Sequence, residues 1–240
     1  METTLDGIRD IKLYQNRKGY RFSVDALLLY SFVNVKNAGN IIDLGAGSGV
    51  IGLLLAKKYT GAKVLLLELQ ESLFRLAGRN IEINNLQENV HAILSDIKDV
   101  RQVVAPRSHD IIVSNPPFRK PESGRISAGE EKAIARHEMR LNLDDLADAA
   151  SYLLKARGRF FMIFHPGRIL EVADALRLKR LEPKRIRFVY NDAGAESRIV
   201  MIEAVKGGRA GLKIDNQLYI YDKNGSYTAE VQKIYDSRTY

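Results

Sequence analysis

The sequence predicts a doubly wound α/β fold, a mostly parallel sheet with helices on both faces. Three observations predict it. Short, continuous apolar runs recur at Ile41–Leu44, Val64–Leu67, Val90–Leu94, Ile111–Val113 and Arg159–Phe164, and such runs mark strands buried on both faces. Stretches with helical spacing separate the runs, the pattern of parallel strands joined by crossover helices. The first run ends in a glycine-rich turn that opens directly into a helix.

Taken in order, Val50–Tyr59 has apolar residues at Ile51, Leu54 and Leu55, and Glu71–Asn84 continues the helical pattern after the second run. Leu143–Leu154 reads as a helix, and Pro166–Leu178 as another, opened by proline at a favoured first position. Ile186–Tyr190 and Arg198–Val205 are strand-like. The link between them, Asn191–Ser197, is too short for a crossover helix, so an antiparallel hairpin at the sheet's edge is expected. The core is about residues 38–208. Residues 1–37 carry a basic turn, Asn16–Arg21, and an apolar helix, Ala26–Val35. Residues 211–240 carry a hairpin around Asn224-Gly225, a strong turn pair, beside Tyr219, Tyr221 and Tyr227. All three parts are expected to form one domain spanning 1–240.

Composition narrows the function. The chain has 240 residues, 45% hydrophobic and 28% charged, which is ordinary globular usage. It contains no cysteine, which removes disulfides, iron–sulfur clusters, cysteine zinc sites and cysteine nucleophiles. The four histidines (His91, His109, His137, His165) show no ligand spacing, so no metal is expected. The formal charge of +8 suits either plain solubility or a polyanionic partner such as RNA. Met1–Ile11 is acidic and lacks the apolar stretch of a secretory leader. No apolar run approaches the ~20 residues of a membrane span. A cytoplasmic protein is expected, monomeric or weakly dimeric.

The first turn reads Asp43-Leu44-Gly45-Ala46-Gly47-Ser48-Gly49. Glycines there let the backbone turn sharply and approach a ligand, and the helix behind them offers free N–H groups. Glu68, at the end of the second run, is placed to accept hydrogen bonds from two ribose hydroxyls. Gly47-Ser48-Gly49-Val50-Ile51-Gly52 also spells the dinucleotide fingerprint. Its register is wrong for that role, because Gly52 falls a turn inside the helix, where it suits close packing. Asp43 would repel a pyrophosphate but attract an α-ammonium. A ligand with an amino-acid end and a nucleoside end satisfies both charges, and S-adenosylmethionine is such a ligand. Asp96 can accept from an adenine amino group with Ile97 on the ring face; it reads equally as a helix N-cap.

The fourth run ends in Asn115-Pro116-Pro117-Phe118. The two prolines fix the backbone and remove two donors, which leaves acceptors free. The Asn115 amide oxygen and the Pro116 carbonyl suit a planar target bearing –NH2, and Phe118 suits stacking on its ring. An aromatic amine is a weak nucleophile, and two acceptors that localise its lone pair would aim it at a sulfonium methyl. These four residues are the expected catalytic set.

Asp43–Gly49, Glu68, Asp96 and Asn115–Phe118 resemble class I S-adenosylmethionine-dependent methyltransferases acting on amino nitrogens. Gly19–Leu29, Ala135–Glu138, Glu203–Gly208 and Tyr227-Thr228 are similar, in addition, to the bacterial tRNA(Val) adenine-37 N6-methyltransferase family. The resemblance implies a Rossmann-like, seven-stranded sheet with its last strand antiparallel, and methylation of an adenine N6 in tRNA. It also implies that Phe22, Ser23 and Asp25 close over the cofactor, although Phe22 reads equally as plain core. Lys18 and Arg21, Arg119, Lys120 and Arg125, and Lys184, Arg185 and Arg187 are candidate RNA contacts, the last three within a basic stretch running from Arg177. Alternatives from the same motif set are an rRNA guanine N2, a protein glutamine N5, or an RNA-binding relative without catalysis.

Overall fold

The computed structural model describes residues 3–16, 24–116 and 143–236. The strands, in chain order, are β1 (Thr3–Ile8), β2 (Ile11–Asn16), β3 (Asn40–Leu44), β4 (Lys63–Glu68), β5 (Val90–Leu94), β6 (His109–Ser114), β7 (Leu154–Phe164), β8 (Leu181–Tyr190), β9 (Ser197–Lys206), β10 (Lys213–Ile214) and β11 (Leu218–Tyr219). The helices are α1 (Val24–Phe32), α2 (Val50–Lys58), α3 (Glu71–Ile83), α4 (Val100–Val103), α5 (Leu143–Leu153), α6 (Ile169–Leu178) and α7 (Ala229–Tyr235).

The main sheet has the order β10-β8-β9-β7-β6-β3-β4-β5, with β11 also on β8. From β3 the chain winds outward through β4 to β5, then returns to place β6 on the other side of β3. The strand order therefore reverses between β3 and β6, the point beyond which ligands sit in open α/β sheets. Successive residues feed opposite layers. Ile41 and Ile111 join the core under α1, α2 and α3, while Ile42 and Ile112 join the core under α5 and α6. Both faces are thus dry, as the continuous apolar runs require.

The expected antiparallel hairpin, β8 with β9, stands at the sheet's edge, and three features go beyond the sequence expectation. Within the hairpin the later strand is the inner one: β9 inserts between β7 and β8, antiparallel to both. Spatial order is set by which face each strand finds, and a linear pattern does not encode it. The outer edge of β8 is then covered by the two-residue strands β10 and β11, so no long edge stands open there. Residues 3–16 form a separate antiparallel hairpin, β1 with β2, turning at Arg9-Asp10. The third is the helix α7 after the Tyr221–Tyr227 bridge, capped by the Thr228 hydroxyl accepting from the Val231 N–H. Among the described residues no helix is long and apolar enough to cross a membrane.

Candidate active site

The ends of β3, β4 and β6 meet at the switch point. The loop after β3 is a tight, backbone-anchored turn: the N–H groups of Gly45 and Ala46 both donate to the Leu67 carbonyl, at 2.9 and 3.0 Å. Gly45, Gly47 and Gly49 have φ of 75°, 59° and 88°, a region that residues with a Cβ rarely adopt. A Cβ added at Gly45 would meet nothing within 4 Å, so open space lies over that stretch of backbone. Gly52 has a different reason. A Cβ there would lie 2.2 Å from Leu66 Cδ2 on β4, so it is a contact point between α2 and the sheet, as its register suggests.

Two carboxylates sit beside this loop. Glu68 is buried, and its two oxygens accept from the N–H groups of Gly47 (2.7 Å) and Gln70 (2.8 Å). It therefore holds the loop from below; any ribose contact would use the remaining lone pairs. Asp43 is 1% exposed. Its Oδ2 accepts from the Gly52 N–H at 3.1 Å, while its Oδ1 is buried with no hydrogen-bond partner. Burial, more than the nearby Glu68 charge, pushes its pKa up to about 7, against the Gly52 hydrogen bond. A buried carboxylate oxygen without a partner suits a cation.

Asp43 lines a cavity with Ala26, Gly45, Ala46 and Asn115. This brings the first motif and the fourth together. Asn115 is held there because the Ser114 hydroxyl, fully buried, donates to the Leu44 carbonyl at 2.7 Å and locks the end of β6 to the end of β3. Asp25, at the start of α1, has a second buried carboxylate oxygen without a partner. Asp96 is an N-cap, accepting from the Lys98 N–H at 3.0 Å, and the Ile97 side chain is buried in the core. Phe22, Ser23, Pro117, Phe118, Lys18, Arg21, Arg119, Lys120 and Arg125 lie outside the described residues.

The other basic residues are engaged inside the molecule. Arg185 donates to Glu203 (2.8 Å), Asp215 (3.1 Å) and the Phe32 carbonyl (2.7 Å), and stacks over the Phe32 ring. Arg187 donates to the Asn216 carbonyl and to Glu230. Lys184 donates to the carbonyls of Arg209 and Gly211. Sequence reasoning missed Asn80, which is wholly buried on α3 beneath the glycine loop. The available signal was its position on the apolar stripe of Leu73, Leu76 and Ala77.

A family profile, the methyltransferase small domain, matches residues 22–165. The chain is 29% identical over 214 residues, 88% of its length, to the tRNA1(Val) (adenine(37)-N6)-methyltransferase of Dyadobacter fermentans, covering 86% of that protein. It is 27% identical to the protein of the same name from Haemophilus influenzae strain PittEE, with 92% and 91% of the two chains covered. Among solved structures, a predicted O-methyltransferase, Atu636 from Agrobacterium tumefaciens, matches with a TM-score of 0.73 at 22% identity, over 90% of this chain and 97% of that one. The last likeness is one of fold.

Proposed function

Because the chain belongs to the methyltransferase small-domain family, we propose that it transfers a methyl group from S-adenosylmethionine to the N6 amine of an adenine in tRNA. The observation that carries this is the shared cavity: Asp43 and the glycine loop line one part of it and Asn115 another. A cationic amino-acid end and a target amine would thus be gathered in one pocket. The relatives are named for the base and the RNA, adenine 37 of tRNA1(Val), and the proposal takes the same nucleotide.

The residues fit the cofactor. The partnerless Asp43 Oδ1 suits its α-ammonium, and the open backbone at Gly45 leaves room for its chain. Glu68 suits its ribose and Asp96 its adenine. When bound, the cofactor supplies an electrophilic methyl on a positively charged sulfur. Asn115 and the Pro116 carbonyl accept from the adenine amine and point its lone pair along the line of transfer. The S–CH3 bond would break as the N–CH3 bond forms, the nitrogen would release one proton to water, and the products would be N6-methyladenosine and S-adenosylhomocysteine. Orientation and fixed dipoles do the work, and no protein nucleophile is required.

The test is incubation with methyl-labelled S-adenosylmethionine and bulk tRNA lacking modifications, followed by nucleoside analysis. Label in N6-methyladenosine is expected. Label in another nucleoside, or cofactor binding without any label in tRNA, contradicts the proposal.

A further inference from the structure

We propose that the amino-terminal edge of the sheet, the end remote from the transfer pocket, carries a second contact for the substrate RNA: a basic cleft that holds its phosphate groups. This rests on the RNA reading above. The cleft has a volume of about 480 Å³ and lies between the starts of β7 and β8 and the end of β9. Arg157, Arg159, Lys184 and Arg209 line it, with Val205 and Gly208.

These cations come from segments far apart in sequence, and folding gathers them. The basic stretch from Arg177 to Arg187, by contrast, is largely neutralised: Arg177 pairs with Glu182, Lys179 with Asp148, Arg185 with Glu203 and Asp215, and Arg187 with Glu230. In the cleft the balance is different. Glu203 is buried and shared between two guanidiniums, those of Arg159 and Arg185. Among the described residues Arg157 donates only to the Gly207 carbonyl, at 3.3 Å. The Arg209 side chain makes no ion pair or hydrogen bond among the described residues, while its carbonyl is pinned by Lys184. Arg107 and Arg180, exposed in the turns leading into β6 and β8, add two further cations at the same edge.

Guanidiniums with open donors suit phosphate oxygens, and a run of phosphates suits several such side chains at once. One RNA can reach both ends of the sheet. Along β7, Arg159 to Phe164 is five residue steps, about 17 Å at the usual strand rise.

The experiment measures tRNA affinity by fluorescence anisotropy across a salt series, for the parent protein and R157A/R209A. Among the described residues neither side chain holds an ion pair, so the fold should be kept, and a melting curve checks it. The variant should bind tRNA several-fold more weakly at low salt, with a log–log salt slope shallower by about 2. Its KM for tRNA should rise, while kcat at saturating tRNA and cofactor affinity stay unchanged. R157K/R209K should restore the slope. An unchanged slope overturns the proposal, as does an equal loss in the charge-matched R75A/K223A. If the parent fails to methylate tRNA but the difference in RNA affinity persists, the function falls and the cleft stands. If methylation proceeds and the slope is unchanged, the cleft falls alone.

Discussion

Asn80 on α3 donates from Nδ2 to the Ser48 carbonyl across 2.9 Å, and so fixes the glycine loop from behind. The same amide donates to the Tyr14 carbonyl at 3.1 Å and accepts from the Tyr14 N–H at 2.7 Å. One turn later Asn84 repeats the arrangement with Lys12, at 2.7 and 2.8 Å. One asparagine on α3 and one at its C-terminal cap thereby pair with the edge of β2 as a neighbouring strand would. The N-terminal hairpin and the glycine loop share a single buried side chain.

Asn80→Ala strands the Ser48 carbonyl and both Tyr14 backbone groups. Each orphaned buried group costs about 1–3 kcal/mol, less where water enters. A clear drop in denaturation midpoint is expected, together with a raised KM for the cofactor. A variant with parental stability and KM would show that the loop holds itself.

Asp43→Asn should move stability and binding in opposite directions. The folded carboxyl has its pKa raised from 3.8 to about 7. The native state therefore holds a proton that the unfolded chain releases, and stability from this group falls as pH rises from about 4 to about 7. Removing the charge should raise the melting temperature of the ligand-free protein at pH 8. It should also weaken cofactor binding, whose affinity in the parent rises through pH 7 as the carboxylate ionises. Calorimetry and melting at pH 6 and 8 measure both. Tighter cofactor binding in the variant would remove Asp43 from the ammonium site.

Gly52→Ala forces a methyl against Leu66, within 2.2 Å before any relaxation. Overpacking of this kind costs about 1–3 kcal/mol. The loss should appear in chemical denaturation, and a neutral result would show that α2 can shift away from β4.

Arg185→Ala should act on the fold and not on RNA. It leaves the buried Glu203 with one partner and uncovers the Phe32 carbonyl, and breaking a buried pair costs about 3–5 kcal/mol. The melting temperature should fall while the salt slope for tRNA stays parental. A shallower slope with a normal melting temperature would give Arg185 an RNA contact.

The strand–helix alternation and the Asp43–Gly49 turn were legible because each rests on local chemistry: apolar runs, positive-φ glycines, a helix start. The β1–β2 hairpin was readable in principle, since Ile11 and Leu13 alternate with Lys12 and Tyr14 after a turn, but six residues make a weak pattern. The placement of β9 between β7 and β8 was not readable, because strand order depends on contacts made across the whole chain. For the same reason Arg185 looked like a surface cation. Its carboxylate partners, Glu203 and Asp215, lie 18 and 30 residues away, and only folding brings them to it.

In the proposed mechanism Asn115 directs the target amine while Asp43 and the glycine loop hold the cofactor. Single-turnover methyl transfer to tRNA by the parent and by Asn115→Ala, with cofactor affinity measured in parallel, tests it most directly. Transfer should be abolished in the variant, with cofactor affinity within a few-fold of the parent. Near-parental transfer, or loss of cofactor binding equal to the loss of transfer, would contradict it.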